Sequence, residues 1–383
     1  MRVLTLNLGS STVKFAVFDG ARRAISGAVQ RVWSDSAELH ALASDGTAYR
    51  QPFASPEPVK ALLEWLTSRR HLEGVAAVAH RVVHGGDHFT ASVEATPDVL
   101  AILQTLVPFA PLHHPQNIAG ARAAYAALPD VPHVLCFDTA FHATMPRVER
   151  AFGLHRSYYD DGIKRYGFHG LAYQSVVEHL REVAPQVSNG RVLMCHLGSG
   201  ASLCALRGGV SVATTMGLTP LDGLLMSTRA GALDPGVVLY MLREPDSNID
   251  HVEHFLTHQS GLFGASGRIS ADMRDLLASP APEAAEAVAL FCYRAAREAG
   301  AMIAAMEGLD AIAFSGGIGE NAPTIRARIC EKLAWLGVAL DPAANAAGAP
   351  VLSAPSSRVL VLRTPADEER VLAAEARKLL KHD

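Results

Sequence analysis

Two stretches of the chain share one pattern of apolar and polar positions. Residues 3–20 read VLTLNLGSSTVKFAVFDG, and residues 192–209, 189 positions further along, read VLMCHLGSGASLCALRGG. Aligned without a gap, they share seven identities. In the first copy, the β-rich runs Val3–Leu8 and Val13–Phe18 flank a turn of small residues at 9–12. The pattern predicts a β-hairpin in each copy, and therefore a duplicated architecture.

The rest of the chain alternates strand-like and helix-like segments, which is typical of an α/β protein. Residues 74–86, GVAAVAHRVVHGG, predict a strand entering a loop, and residues 131–142, VPHVLCFDTAFH, predict a buried strand that ends in a polar cluster. A long helix is predicted at 282–306, followed by a short strand at 311–314, a glycine turn and a helix beginning within 320–323. Ligands bind where strands end in open α/β sheets, so we expect the functional groups there.

Composition narrows the class of protein. The 383 residues are 49% apolar, which suggests two domains or a duplicated one. A net charge of -4 provides no broad cationic field, so neither nucleic acid nor a membrane surface is expected as a partner. The sequence runs from Arg2 directly into a strand-like segment and has no apolar stretch of the ~18 residues a bilayer span needs, so we expect a cytoplasmic protein. Five cysteines without CxxC spacing predict buried free thiols.

The two hairpin tips are candidates for anion binding. Residues 9–12 combine a glycine with three hydroxyl side chains, so backbone N–H and side-chain O–H groups can approach an anion closely. Lys14 follows the first tip and adds a positive charge, whereas the second copy, with GSGAS at 198–202, has Leu203 at the equivalent position. One such tip is equally explained as an ordinary turn. Two copies at half-chain spacing predict a grip on one polyphosphate.

A third glycine-rich segment, FSGGIGENAP, follows the strand predicted at 311–314. Glycines 316, 317 and 319 would leave backbone N–H groups and the positive end of a helix dipole facing a ligand. The spacing matches neither GxGxxG nor GxxxxGK[ST], so a Rossmann fingerprint and a Walker P-loop are both excluded. A tight strand-to-helix connection without a ligand is the alternative interpretation.

Ten segments in order resemble the blocks of the acetate kinase family, across nearly the whole chain. They are NLGSSTVK, AHRVVHGG, FAPLHHPQN, FDTAFHATMP, KRYGFHG, HLGSGAS, TPLDGLLMSTRAGALDPG, SGRISADMRD, FSGGIGENAP and TPADEERVLA. The family lies within the acetate and sugar kinase, heat-shock ATPase and actin superfamily. The resemblance implies a duplicated ribonuclease-H-like (actin-like ATPase) α/β fold with two domains around a nucleotide cleft. Domain I is expected to contain residues 1–142 and 371–383, and domain II residues 143–370.

The resemblance also implies a reaction. The expected activity is reversible, direct in-line transfer of the ATP γ-phosphoryl to acetate, giving acetyl phosphate and ADP, with Mg²⁺ or Mn²⁺ and in a homodimer. A short carboxylic acid has a pKa near that of Glu, about 4.3, and is already ionised at neutral pH, so no general base is needed. The reaction needs neutralisation and alignment of two anions, for which a planar guanidinium fork is suited.

Five residues match catalytic positions of the family. Arg81 and Arg229 match arginines that hold substrate and transition state, and His169 matches the histidine that donates to the transferring phosphoryl, although a local hydrogen bond is an alternative. Asn7 resembles the asparagine near the phosphoryl and its metal, with a plain polar strand end as the alternative. Asp138 orients a magnesium ligand or the phosphoryl by resemblance, or acts as a general base as in sugar kinases.

The remaining expected site residues bind metal, nucleotide and the substrate methyl group. Glu368 is expected to serve Mg²⁺ through water, with Glu369 beside it as an open choice; a carboxylate stabilised by a helix dipole is the alternative. The predicted nucleotide-binding residues are Ser10, Thr12, Lys14, His196, Gly198, Ser199, Gly200, Asp272, Met273, Arg274, Gly316, Gly317, Gly319 and Asn321. The predicted apolar substrate pocket is formed by Val83, Leu112, Phe168 and Pro220.

Alternative functions and departures from the family pattern stay open. An apolar pocket discriminates one methylene by only about 1–3 kcal/mol, so a kinase for propionate or another short carboxylate is the first alternative. A sugar or alcohol kinase would need a general base and a polar pocket, and a non-catalytic nucleotide switch would lack the paired arginines.

Ser199, Ala232 and Tyr173 stand where the family commonly has Asn, Asp and His, and the chain is somewhat short. These departures predict weaker nucleotide contacts and altered packing behind Arg229 and His169.

Overall fold

The computed structural model of the protein describes residues 1–9, 11–111 and 113–381. The chain divides into two compact units. The first unit contains Met1–Phe141 and the C-terminal segment from Asp367, and the second contains His142–Ala366. The predicted boundaries lay after residues 142 and 370, and the assignment of each unit as a domain stays a prediction.

Two sheets form the centres of the two units. The first has eight strands in the order β5-β4-β3-β2-β1-β6-β8-β7, and the second has five in the order β11-β10-β9-β12-β13. The strands are β1 (Arg2–Leu8), β2 (Thr12–Asp19), β3 (Arg22–Gln30), β4 (Glu38–Ala43), β5 (Ala48–Pro52), β6 (Val75–Val82), β7 (Val93–Glu94), β8 (His133–Phe137), β9 (Arg191–Leu197), β10 (Ala201–Arg207), β11 (Val210–Thr214), β12 (Ala311–Ser315) and β13 (Leu360–Arg363).

Helices and short 3-10 turns connect these strands. The turns lie at Val107–Phe109, Asp138–His142 and Ala334–Leu336. The helices are α1 (Pro58–Ser68), α2 (Pro97–Thr105), α3 (His114–Ala127), α4 (Arg147–Arg150), α5 (Arg156–Asp160), α6 (Gly170–Val183), α7 (Pro185–Ser188), α8 (Pro235–Leu242), α9 (Ile249–His258), α10 (Gly261–Ala265), α11 (Met273–Ala278), α12 (Pro282–Ala305), α13 (Gly316–Asn321), α14 (Pro323–Glu331), α15 (Pro342–Ala347) and α16 (Glu368–Leu379).

The two sheets share one arrangement. In the first, β1 pairs antiparallel with β2 and parallel with β6, which in turn runs parallel to β8. In the second, β9 pairs antiparallel with β10 and parallel with β12, which runs parallel to β13. The order β3-β2-β1-β6-β8 therefore matches β11-β10-β9-β12-β13. The predicted hairpins and the duplicated α/β architecture are confirmed.

Burial explains why the central strands are nearly continuous apolar runs. Residues 3–8 of β1 are all buried, as expected for a strand covered on both faces. Helix α1 contributes Val59, Leu62, Leu63 and Leu66, whose spacing places them on one helical face in the core of the first unit. In the second unit, α12 packs along β10. These layers hold the strand ends, where the polar residues lie, in fixed positions.

The glycine turn differs in one respect from the prediction. The strand extends to Ser315, and a short helix, α13, follows at Gly316, where only a turn was predicted. The helix predicted to begin within 320–323 is α14, which starts at Pro323. Gly316 has φ 76°, a left-handed conformation that lets the chain turn from strand to helix without a connecting loop. The sequence pattern missed α13 because its first four residues include three glycines, which have poor helix propensity.

The cysteine prediction is confirmed. All five cysteines are buried free thiols. Over residues 1–9, 11–111 and 113–381, no helix combines the length and the apolar character that crossing a bilayer requires.

Candidate active site

Three distant segments of the first unit meet at one edge of its sheet. Arg81 lies on β6, Asp138 follows β8 directly, and Asn7 lies near the end of β1. These strands are parallel neighbours, so their carboxyl ends share one edge of the sheet. The first turn of α16 adds Glu368 and Glu369. We refer to these five residues as the Arg81 network.

Hydrogen bonds link the whole network. Nε and Nη2 of Arg81 donate to Oδ1 and Oδ2 of Asp138 over 3.1 and 2.7 Å, and Nη1 donates to Oδ1 of Asn7 over 3.1 Å. Nδ2 of Asn7 donates to Oε2 of Glu368 over 2.8 Å and to Oε1 of Glu369 over 3.2 Å. The side chains of Arg81 and Asp138 are only 15% and 1% exposed. The guanidinium is therefore held in one orientation by partners on two other strands.

Two pKa values show how charge is distributed in the network. Burial disfavours the charged form of Arg81, but Asp138 and Glu368 outweigh it and hold the pKa of the guanidinium above its ordinary value. Burial raises the pKa of Glu369, and the neighbouring negative charge of Glu368 raises it further, whereas Lys14 and Asn7 oppose the shift. A nearby cation would favour the charged form of Glu369 and oppose this shift.

The donor set fits a magnesium ion bound mainly through its substrate. Within the described part of the chain, no group of three or more His, Cys, Asp or Glu side chains forms a ready metal cage. Mg²⁺ ordinarily takes one or two protein carboxylates and completes its octahedron with water and phosphate oxygens. Glu368 and Glu369 converge on one amide and repel each other, so a divalent cation beside them would offset this repulsion.

The other first-unit residues predicted to bind ligands surround the first hairpin. The backbone N–H of Gly9 donates to the carbonyl of Thr12 over 2.8 Å and closes the tip. Lys14 is exposed and pairs across the hairpin with Asn7. Val83 is buried, and its backbone N–H donates to Oδ1 of Asn117. Ser10 and Leu112 lie outside the described residues.

In the second unit, two predicted nucleotide segments lie side by side. The N–H of Gly198 donates to the carbonyl of Gly200 over 3.0 Å, which folds the second hairpin tip tightly. A Cβ atom on Gly198 would lie 3.8 Å from the backbone nitrogen of Gly317, so the tip and the glycine turn are neighbours. A Cβ on Gly316 would approach the carbonyl oxygen of Leu197 to 2.6 Å, so no side chain fits there. The structure brings these glycines together, and the backbone N–H of Gly316 donates to Oε1 of Glu320 over 3.0 Å.

His169 lies against the same tip. It precedes α6 with φ 60°, and its Nδ1 is 2.9 Å from Oγ of Ser202. A Cβ on Gly200 would lie 3.2 Å from Nε2 of His169, so this nitrogen faces the tip. The His196 ring is 4.8 Å from that of His169, and its Nδ1 is 3.1 Å from Oγ of Ser315. Two imidazoles and two hydroxyls thus surround the second hairpin.

Arg229 lies in a loop of the second unit beside part of the predicted substrate pocket. Its Nη1 donates to the carbonyl of Pro220 over 3.2 Å, and the backbone carbonyl of Arg229 accepts from the N–H of Met226. Pro220 is half-buried and Phe168 fully buried. The structure therefore brings Arg229 to Pro220.

The remaining predicted nucleotide residues have clear structural partners. Asp272 caps α11 by accepting from the N–H of Arg274 over 2.8 Å, and the two side chains form a 2.6 Å ion pair in which Arg274 is largely exposed. Met273 is buried, and Ser199 is exposed at the tip. Asn321 donates from Nδ2 to the carbonyl of Gly317 over 3.0 Å, and Gly319 is buried within α13.

Sequence reasoning missed several residues that hold these groups in place. Ser202 contacts His169, and its position opposite His196 in the hairpin register was readable from the repeat. Arg326 is 1% exposed and donates from Nη1 to the carbonyls of Gly319 and Glu320, which supports the end of α13. No local pattern identifies Arg326, because its importance comes from contacts that only the folded chain makes.

Comparison with known proteins identifies a family of related sequences. The sequence pattern of the Acetokinase family matches residues 2–374. The acetate kinase of Methylocella silvestris is 45% identical over 396 residues, covering 99% of this chain and 98% of that protein. The acetate kinase of Rhizobium meliloti is 46% identical over 388 residues, covering 99% of this chain and 98% of that protein.

A solved structure shows the same fold. The crystal structure of a propionate kinase from Francisella tularensis subsp. tularensis SCHU S4 superposes with a TM-score of 0.90 at 34% identity, covering 98% of each chain. The match spans both units, and both sequence relatives are near 45% identical over almost their full length. The chain therefore belongs to the acetokinase family.

Proposed function

We propose that this chain is an acetate kinase that transfers the γ-phosphoryl of ATP to acetate, reversibly and in line, giving acetyl phosphate and ADP. Membership of the family makes it a phosphotransferase that uses ATP or ADP. Acetate as the acceptor is supported by the relatives near 45% identity, which are named acetate kinases. The observation that carries the proposal is the buried, oriented guanidinium of Arg81.

Arg81 has the donors that the reaction needs. A guanidinium carries five N–H groups. Among the described residues, one each from Nε and Nη2 goes to Asp138 and one from Nη1 goes to Asn7. One N–H on each terminal nitrogen is left, and two such groups form the fork that binds a carboxylate or phosphoryl with two hydrogen bonds. Arg81 can thus neutralise one of the two anions without reorienting.

In this proposal Asp138 orients Arg81 and does not act as a general base that removes a proton from the substrate. Both of its oxygens accept from Arg81, and it is almost wholly buried. Acetate has no proton to remove at neutral pH, so a general base has no task in this reaction. We assign Asp138 the role of orienting the guanidinium, and the sugar kinase alternative, which needs a base, loses its main support.

The second unit supplies neutral donors. The backbone at Gly317 has open space around it, and its N–H suits a phosphate oxygen. His169 donates from Nε2 to the transferring phosphoryl, and Arg229 adds a second positive charge, held at Pro220. Groups of this kind provide the electrostatic stabilisation on which phosphoryl transfer depends.

Mg²⁺, or Mn²⁺ in its place, is proposed at Glu368 and Glu369, with Asn7 beside them. When bound, the ion neutralises phosphate charge. Among this chain's own residues, Asn7 holds both carboxylates in place, and a cation held beside them would favour the charged form of Glu369. Glu368 also lies 3.7 Å from Nε of Arg81, which links the metal position to the guanidinium.

Acyl chain length is tested by trapping the acyl phosphate as its hydroxamate. Val83, Phe168 and Pro220 are the described members of the apolar pocket, and such a pocket separates acetate from propionate by about 1–3 kcal/mol. With ATP and Mg²⁺, we expect kcat/KM for acetate to exceed that for propionate by about 10-fold or more. A higher value for propionate would overturn the acetate assignment. If no acyl phosphate formed with acetate, propionate or butyrate, the kinase assignment would be overturned.

A homodimer, in the cytoplasm, completes the proposal. Helix α8 contains no buried residue although it is strongly apolar, and Leu239 and Tyr240 are 52% and 66% exposed. Ile249, at the start of α9, is 73% exposed. An exposed apolar surface of this kind marks an interaction site, and we propose that a second copy of the chain covers it.

Sedimentation velocity tests the dimer. We expect the wild-type protein to sediment as a dimer, and Tyr240→Glu to sediment as a monomer because a charge enters the apolar surface. Tyr293→Glu, on the exposed face of α12, is a matched control that should leave the dimer intact. A wild-type monomer at micromolar concentration would contradict the proposal.

A further inference from the structure

A buried hydroxyl pair lies behind His169, on the side away from the hairpin tip. Oγ of Ser202 is 2.9 Å from Nδ1 of His169 and 2.5 Å from Oη of Tyr173. Ser202 and Tyr173 are both 0% exposed. The hydrogen bond between Tyr173 and Ser202 is thus shielded from water. The hydrogen-bond chain ends at the half-buried ring of His169, whose other nitrogen, Nε2, faces Gly200.

We propose that Tyr173 acts through Ser202 as a positioning residue that fixes the tautomer of His169, placing the proton on Nε2. The inference rests on the proposed function, in which His169 donates from Nε2 to the transferring phosphoryl.

The protonation of Tyr173 supports placing the imidazole proton on Nε2 of His169. Burial raises the pKa of Tyr173 well above its ordinary value, so the phenol keeps its proton at neutral pH. If Tyr173 donates to Oγ of Ser202, the serine proton points to Nδ1 of His169, which must accept. The imidazole proton then lies on Nε2, directed at the tip. The opposite arrangement would turn an Nε2 lone pair towards the phosphate oxygens, which repel it.

The surroundings keep Tyr173 and its neighbour His142 neutral and fixed. The His142 ring lies edge-on to Tyr173 at 5.7 Å and is held by Oγ of Ser211 and the carbonyl of Phe168. Burial lowers the pKa of His142 to about 4, so it carries no charge at neutral pH. The phenol therefore has a rigid, uncharged neighbour in His142.

The test combines ¹⁵N NMR of histidine-labelled protein with kinetics. In the wild type, we expect the His169 signals of an Nε2–H tautomer. In Tyr173→Phe, where Ser202 can either donate or accept, we expect a tautomer mixture, a kcat lower by about 10-fold, and an unchanged KM for ATP. Ser202→Ala should move the same signals and add little to Tyr173→Phe in the double variant, because one hydrogen-bond chain is removed once.

Tyr166→Phe is the matched control. Tyr166 is also buried in the second unit and donates from Oη to the carbonyl of Gly162 over 3.0 Å. The Tyr166→Phe variant should lose about as much stability as Tyr173→Phe, and its His169 signals and kcat should be unchanged. If Tyr173→Phe behaved like this control, the role would be structural and the proposal overturned.

Two other spectra would also overturn the proposal: an Nδ1–H tautomer in the wild type, or an imidazolium with both nitrogens protonated under assay conditions. The spectra decide the tautomer even if no acyl phosphate forms with any acid. Failure of this inference is therefore distinguishable from failure of the proposed function.

Discussion

The two hairpins occupy equivalent places in two sheets of the same strand order, yet they carry different chemistry. At the first, Asn7 leads into a network of one guanidinium and three carboxylates. At the second, the aligned residue is His196, and the neighbours are imidazole, hydroxyl and glycine backbone. Lys14 in the first copy aligns with Leu203 in the second.

The comparison shows that a shared backbone fixes where ligand groups can lie, while side chains decide the interaction. The Arg81 network is ionic, and Arg81 and Asp138 are 57 residues apart in sequence. The second site relies on backbone close approach, which only glycines allow. The first should therefore be sensitive to charge and the second to steric bulk.

The largest effect is expected for Arg81→Gln. The variant loses the charge and the donor fork, so kcat should fall by about 10³-fold. Buried Asp138 is left without its cation, and the protein should lose about 3–5 kcal/mol of unfolding free energy. Hydroxamate kinetics and denaturant unfolding measure the two effects.

Arg191→Gln is the matched control for this variant. Arg191 makes a similar two-point pair with Asp310, but in the second unit and with side chains 41% and 35% exposed. Its loss should leave kcat unchanged and stability little affected, because exposed ion pairs contribute little. Equal activity losses in the two variants would show that the Arg81 network has no special role.

An intermediate effect is expected for Gly316→Ala. A methyl group there meets the carbonyl of Leu197 and is also strained by the positive φ. Gly208→Ala is matched because Gly208 also has positive φ, 65°, but open space around it. In both variants the left-handed backbone strains the alanine, which should lower the unfolding free energy by about 1–2 kcal/mol. Only Gly316→Ala should raise the KM for ATP, by about 10-fold or more. Indistinguishable KM values would mean that the glycine turn does not contact nucleotide.

The smallest effect concerns Glu369. Its pKa is raised in the folded protein by burial and by Glu368, so the folded state binds this proton more tightly than the unfolded chain. Stability attributable to Glu369 is therefore present below the ordinary glutamate pKa of about 4.3 and is lost as pH rises through the raised value. Glu369→Gln removes that loss, so near pH 7 the variant should melt about 2 °C above the metal-free wild type.

This advantage should vanish towards pH 4, and Mg²⁺ with ADP should favour the wild type instead. Lys14→Met should steepen the wild-type loss of stability with pH, because Lys14 opposes the shift at Glu369. Melting curves over pH measure both. A difference between Glu369→Gln and wild type that did not change with pH would refute the raised pKa.

Much of the fold was predictable because it depends on local patterns. The alternation of apolar residues and the repeat at 189 positions indicate both hairpins, and the periodicity of 282–306 indicates α12, observed at Pro282–Ala305. Helix α13 was missed because its formation depends on a left-handed Gly316 packed against β9, which no local propensity reveals.

For the site, the sequence alone determined which residue types lie at strand ends and in turns, because side-chain periodicity and glycine content are local properties of the chain. Only the tertiary structure decided their partners: that Asp138 binds Arg81, that Asn7 joins both glutamates, and that Ser202 connects Tyr173 to His169. Hydrogen bonds and ion pairs act over about 3 Å, and residues distant in sequence come that close only after the sheets and helices have packed.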